Sequence, residues 1–208
     1  MPARAHPPAR APDLLARPIE VLFLDVDGVL ADGGIVLAEG IELKRFAARD
    51  GTAAAIAHRA GLKLVLVTYR DSEAVRRRAA ELKIEALQGV RDKAKAVAEA
   101  CARLGIHPMA AAFMGDDLVD LEAMRAVGLA VAPRDAAPPA LRLARIVTGA
   151  LGGQGAVRDA VETILWLNRV LIERQSDGTK GITKVKKTAK TQTKKTAKSK
   201  TRTSHGRS

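Results

Sequence analysis

At 208 residues with 47% hydrophobic content, the chain can form one ordinary domain plus an appendage and can bury a substantial core. The net charge of +12 is unevenly spread: eleven Lys or Arg and no acid lie from Gly178 onward, which leaves 24 of the 35 bases against 23 acids in the first 177 residues. The foldable part is therefore nearly neutral, which excludes nucleic-acid binding by bulk charge of the domain itself. A lone cysteine, Cys101, excludes an internal disulfide and fits a reducing, cytoplasmic setting, and no apolar run reaches the roughly 18 residues of a membrane span.

Residues 1–18 are rich in Pro, Ala and Arg and lack the continuous apolar stretch of a secretory signal, so they read as a disordered arm. Around Glu20 the chain reads IEVLFLD, an aliphatic run without alternation, as in a strand buried on both faces of a parallel sheet. Runs of the same texture predict strands at Lys63–Thr68, Glu85–Gln88, Ala111–Gly115, Gly128–Ala132 and Ile146–Thr148. Between them Ser72–Leu82, Asp92–Leu104, Leu118–Val127 and Pro138–Arg145 carry apolar residues three and four apart, which predicts helices. Alternating strands and helices define an α/β class with a mainly parallel sheet between helical layers. One stretch breaks this rhythm: DGGIVLAEGIELKRFAARDG, before the next helix, has two short apolar runs around Ala38-Glu39-Gly40, a β-hairpin signal. After the loop Gly152-Gly153-Gln154-Gly155, a last helix over Ala156–Glu173 carries the only tryptophan, Trp166. The pattern stops beyond Gln175, so residues 19–175 read as the domain and 176–208 as a disordered Lys-rich tail.

The chemistry concentrates at the predicted strand ends. Asp25-Val26-Asp27-Gly28-Val29 follows the first buried strand, where an open parallel sheet opens to its ligand crevice. Asp25 is placed to attack phosphorus and Asp27 to protonate the leaving oxygen and then deprotonate water, while Gly28 lets backbone N–H groups approach the phosphoryl oxygens. Thr68 ends the second buried strand and offers a hydroxyl to phosphate, although a threonine there also serves as a turn or cap residue. Lys93, at a helix start, is a candidate to neutralise phosphate charge. Gly115-Asp116-Asp117-Leu118-Val119-Asp120 clusters more acids than helix capping explains. A hard cation such as Mg²⁺ accounts for the cluster, with Asp25, the Asp27 carbonyl and Asp116 as ligands and Asp117 or Asp120 behind them holding Lys93 or a water.

These motifs in this order resemble the haloacid dehalogenase superfamily of phosphotransferases, a Rossmann-like three-layer fold. Within it the chain is most similar to the capless 3-deoxy-D-manno-octulosonate 8-phosphate phosphatases of lipopolysaccharide synthesis. The segments carrying the likeness are LDVDGVLADGGI, ELKRFAARDG, GLKLVLVTYR, SEAVRRRAAELKI, QGVRDK, MGDDLVDLEAMRAVGLAVA and GGQGAVRDAVETIL, which together span roughly Ile19–Asn168. The resemblance implies a phosphorylated sugar acid as substrate, Mg²⁺ as cofactor, and the roles given above for Asp25, Asp27, Thr68, Lys93 and Asp116. It also implies a homotetramer in which the hairpin at Ile35–Phe46 roofs a neighbour's site in place of a cap domain. Arg70, and Arg158 beside the Gly-rich loop, are candidates to meet the sugar's carboxylate. Two features depart from the family. Thr68-Tyr69-Arg70 stands where it usually reads Thr-Gly-Arg, and the tail is additional. The tail's cations suit non-specific contact with nucleic acid or an anionic surface. Alternative readings on the same fold are a phosphatase-like subunit of a larger complex, of the phenylphosphate carboxylase type, and a nucleic-acid-tethered accessory protein.

Overall fold

In the computed structural model of the chain, residues 15–38 and 41–176 are described. The aliphatic run becomes β1, Val21–Leu24, with all four side chains buried. A strand covered on both faces has no solvent side for polar residues, so its sequence does not alternate. There follow β2 (Val36–Ala38), β3 (Ile41–Leu43), α1 (Ala48–Arg59), β4 (Lys63–Val67), α2 (Glu73–Leu82), β5 (Glu85–Leu87) and α3 (Lys93–Leu104). The remainder comprises β6 (Ala111–Met114), α4 (Leu121–Arg125), β7 (Leu129–Ala132), α5 (Pro138–Leu143) and β8 (Ile146–Val147), then α6, helical over 156–169. The chain divides into two compact units, 1–169 and 170–208, and of the second the helical residues 170–176 are described. Most of the expected N-terminal arm and all but the first residue of the tail lie outside the described residues.

Six strands pair in parallel in the order β5-β4-β1-β6-β7-β8. From β1 the chain steps outward to β4 and β5, then returns through α3 to β6 on the other side of β1. Right-handed crossovers in opposite directions place their helices on opposite faces of the sheet. Accordingly, Val21, Phe23, Val65, Val67, Ala111 and Phe113 form one core with Val97 and Cys101 of α3, Met124 of α4 and Ala140 of α5. The alternate residues Leu22, Leu24, Leu64, Leu66, Ala112 and Met114 face the other way and are equally buried, as are Ala53, Ala54 and Ala57 of α1. Leu24 stands opposite both Leu66 and Met114, so the residues that follow β1, β4 and β6 leave the sheet at one edge.

One expected element differs. The helix expected over Leu118–Val127 is a 3₁₀ turn, Leu118–Asp120, running into the short α4. Asp117 and Asp120 cap that turn reciprocally, and the Asp120 carboxylate turned back onto the backbone tightens it. The hairpin ladder is confined to three residue pairs from Val36↔Leu43 to Ala38↔Ile41, within the expected Ile35–Phe46, and α1 begins just beyond it at Ala48.

Candidate active site

Lys93 is the hub. Its Nζ lies 2.8 Å from Asp25 Oδ1 and 2.6 Å from Asp120 Oδ1, joining the starts of α3, the β1 loop and the β6 loop. Asp92 caps α3 by accepting from Lys95 N at 2.9 Å, which fixes the helix start that carries Lys93. The other oxygen of Asp120 accepts from Asp116 N at 2.9 Å and Asp117 N at 3.2 Å, so this fully buried carboxylate folds the acidic loop around itself. That loop requires Gly115, because a Cβ there would lie 2.4 Å from Asp120 Cβ. Gly28, at φ +85°, is equally constrained: its Cβ would lie 2.0 Å from Asp116 Oδ2. The motif-loop backbone thus lies directly against an acid contributed by another strand.

Carboxyl oxygens of Asp25, Asp116 and Asp120 come within 4.8 Å of one another. Burial and the Asp120 charge push Asp25 up to about 6 against the pull of Lys93. Burial and the neighbouring Asp25, Asp120 and Asp117 charges push Asp116 up to about 7. Lys93 is raised despite its burial because the two carboxylates outweigh it. Such a cluster fits a hard divalent cation, which takes oxygen donors and relieves their mutual repulsion. Asp120 already engages both oxygens with Lys93 and the loop N–H groups, so Asp25 and Asp116 are the carboxylates left to hold one.

Thr68 is buried just beyond β4, and its Oγ1 accepts from Arg70 N at 3.3 Å. Asp117 is exposed and caps its own turn, accepting from Leu118 N at 2.7 Å, so Asp120 rather than Asp117 holds Lys93. Arg70 reaches the site already paired: Nη2 donates to Glu42 Oε2, and Nε stands 4.0 Å from Asp27 Oδ2 without a hydrogen-bond partner. Arg158 does not join the cluster; its Nε donates to Glu162 at 2.5 Å, one turn along its own helix. Tyr69 is 57% exposed, pointing away from the core.

Glu42 and Lys44 carry no expected role in the sequence reading, yet the hairpin delivers both. Lys44 Nζ donates to Asp27 Oδ1 and forms an ion pair with Glu42 Oε1 at 2.9 Å. Lys44 and Arg70 together hold Glu42 down at about 2. Their sequence signal is the Glu-Leu-Lys triplet, whose alternation puts both charges on one side of β3 and its extension. It becomes meaningful only once the hairpin is known to fold back over the motif loop.

Acids and a lysine converging at the carboxyl edge of a parallel sheet define a phosphotransferase-like α/β hydrolase, and the model of haloacid dehalogenase-like hydrolases matches residues 42–128. The 3-deoxy-D-manno-octulosonate 8-phosphate phosphatase of Escherichia coli strain K12 is 39% identical over 168 residues, covering 80% of this chain and 87% of that protein. The crystal structure of the Yersinia pestis phosphatase of that name aligns with TM-score 0.71 and 39% identity over 74% of this chain and 84% of its own. The Moraxella catarrhalis phosphatase, crystallised with magnesium, phosphate and KDO, aligns with TM-score 0.70 and 35% identity over 76% and 92%. The chain belongs to the haloacid dehalogenase-like hydrolases, and within them to the 3-deoxy-D-manno-octulosonate 8-phosphate phosphatase family. It is a phosphatase.

Proposed function

We propose that this phosphatase hydrolyses a phosphorylated sugar acid such as 3-deoxy-D-manno-octulosonate 8-phosphate, through an aspartyl phosphate, the acyl phosphate of Asp25, and with Mg²⁺ in the acid cluster. The observation that carries the reading is the contact of Lys93 with Asp25, a buried cation on a carboxylate that has no other ion-pair partner among the described residues. Lys93 orients Asp25 and stands ready to share a phosphoryl oxygen with the Thr68 hydroxyl. An Asp25 oxygen attacks phosphorus as the bond to the sugar oxygen breaks, and Asp27 gives that oxygen its proton. Asp27, now a carboxylate fixed in orientation by Lys44, takes a proton from water as the water oxygen attacks phosphorus, releasing phosphate and restoring Asp25. Bound by Asp25, Asp116 and the Asp27 carbonyl, magnesium supplies the positive charge that lets two anions meet.

Substrate class rests on the relatives, one of which was crystallised with KDO and phosphate. Beside Asp27, Arg70 is the guanidinium suited to a sugar carboxylate, which would take the place Glu42 holds on it, while Lys44 is engaged by Asp27 and Glu42. Arg158 is the weaker candidate for the same carboxylate, its guanidinium lying on Glu162 one turn along its own helix. The hairpin leaves Ile35, Val36, Leu37 and Leu43 more than half exposed or at half exposure, a surface that suits self-association into the tetramer. Phosphate release from 3-deoxy-D-manno-octulosonate 8-phosphate, compared with simple sugar phosphates and phenyl phosphate with and without Mg²⁺, tests the reading. Turnover of the sugar-acid phosphate no better than of the others would remove the substrate assignment.

A further inference from the structure

The Arg49-Asp50-Gly51 segment has no place in the chemistry above, yet Asp50 is only 1% exposed. It has no ion pair among the described residues. Its carboxylate leaves its own helix and reaches the turn before α6: Oδ1 accepts from Arg158 N at 2.9 Å and Oδ2 from Gly155 N at 3.2 Å. The Arg49 stem closes over the same turn, since a Cβ on Gly155, at φ +103°, would lie 2.3 Å from Arg49 Cδ. On its other side the turn presses on the catalytic loop. Gly153 N donates to Val29 O at 2.8 Å, and a Cβ on Gly152 would lie 1.8 Å from Gly28 O. Gly28 is itself packed against the Asp116 carboxylate.

We infer that Asp50 is a positioning residue of the phosphatase site, clamping the Gly152–Gly155 turn against the Asp27-Gly28-Val29 loop so that Asp27 and Asp116 keep their places. The inference rests on the reading of Asp25, Asp27 and Asp116 as the reacting and metal-holding groups. A helix cap alone would need one acceptor, and Ser or Asn would serve. Two N–H groups facing the two oxygens of one buried side chain require an acceptor at both, which a carboxylate provides and an amide does not. The contacts pass from Asp50 through Gly155 and Arg158 to Gly152 and Gly153, then to Gly28 and Val29. A shift at the turn therefore reaches the peptide between Asp27 and Gly28.

The test uses the full chain and compares Asp50→Asn with Asn168→Ala. The latter loses two 2.8 Å hydrogen bonds to the backbone of Ile19, at the far end of β1, and serves as a destabilised control. Calorimetric Mg²⁺ titration without substrate, kcat and KM on p-nitrophenyl phosphate, and thermal melts are measured for each. Asp50→Asn is expected to weaken Mg²⁺ binding and lower kcat about tenfold each, the lower range for partners that orient metal ligands, with KM nearly unchanged. Asn168→Ala lowers the melting temperature only. Wild-type Mg²⁺ affinity and kcat in Asp50→Asn, with a lowered melting temperature, would overturn the proposal. If that variant does not fold, Gly152→Ala presses on the Gly28 carbonyl from the same turn, and unchanged Mg²⁺ affinity and kcat there overturn it equally. Wild-type protein that binds Mg²⁺ without hydrolysing any phosphate ester sinks the phosphatase chemistry, and the Asp50 proposal is then decided by Mg²⁺ affinity alone.

Discussion

Replacing Lys93 with Met removes the one cation that touches both Asp25 and Asp120 while keeping most of the side-chain volume. Breaking a buried pair costs about 3–5 kcal/mol, because the charges left behind cannot return to water. Here Asp25 is 6% exposed and Asp120 not at all. The acids have one escape, which is to take up a proton. Asp25 already stands at about 6 because burial and the Asp120 charge outweigh Lys93, and losing Lys93 sends it higher. A carboxyl whose folded pKa lies above its unfolded one contributes stability below the unfolded value, and that contribution is lost as pH rises through the folded one. The cost of Lys93→Met is therefore expected near the full range of about 3–5 kcal/mol at about pH 8, and at about half of it or less near pH 5. Urea denaturation in a chelating buffer at the two pH values reads this directly. Thermal melts should move by roughly 2–4 °C per kcal/mol for a domain of this size. A loss equal at both pH values, or none at the higher one, refutes the argument that proton uptake by the acid cluster offsets the missing cation.

Asp25→Asn should abolish phosphate release with the fold intact by circular dichroism, and Asp27→Asn should lower it on the order of 100-fold or more; substantial activity in the first variant removes the nucleophile assignment. Because Asp25 and Asp116 are raised to about 6 and about 7, Mg²⁺ must displace protons from them. Its affinity should accordingly climb with pH through that interval and level off above it, and calorimetry showing a flat dependence would place the ion elsewhere. Leu37 is 72% exposed on the hairpin, and Leu37→Asp should convert the assembly to smaller species by light scattering. A wild-type monomer, or a variant assembly of unchanged mass, contradicts self-association through that hairpin.

The parallel sheet was legible because its strands are buried on both faces and its helices keep their apolar spacing, so β1, β4, β6 and β7 emerge as unbroken aliphatic runs. The strand-end acids and Lys93 were legible for the same reason, since the end of a buried parallel strand is where a ligand crevice opens. Glu42 and Lys44 were not. Nothing local separates a hairpin's charged side chains that meet Asp27 from those that meet water, and that distinction exists only after the hairpin has folded over the motif loop. Arg70 shows the converse: its place beside the site was readable, its pairing with Glu42 was not. Asp50 carries no local sign of a role in the stretch between the hairpin and the next helix, and its partners, Gly155 and Arg158, lie more than a hundred positions away in the chain.

The Lys93 hub also determines when the protein acquires its chemistry. Asp25 leaves the ribosome early, Lys93 later and Asp120 later still, and the three meet only when β6 has closed against β1. Before that moment the growing chain has no assembled phosphate site and no complete group of carboxylates to capture a metal ion. Reactivity therefore waits on the docking of β6 against β1, and no N-terminal piece ending before β6 can act as a partial enzyme.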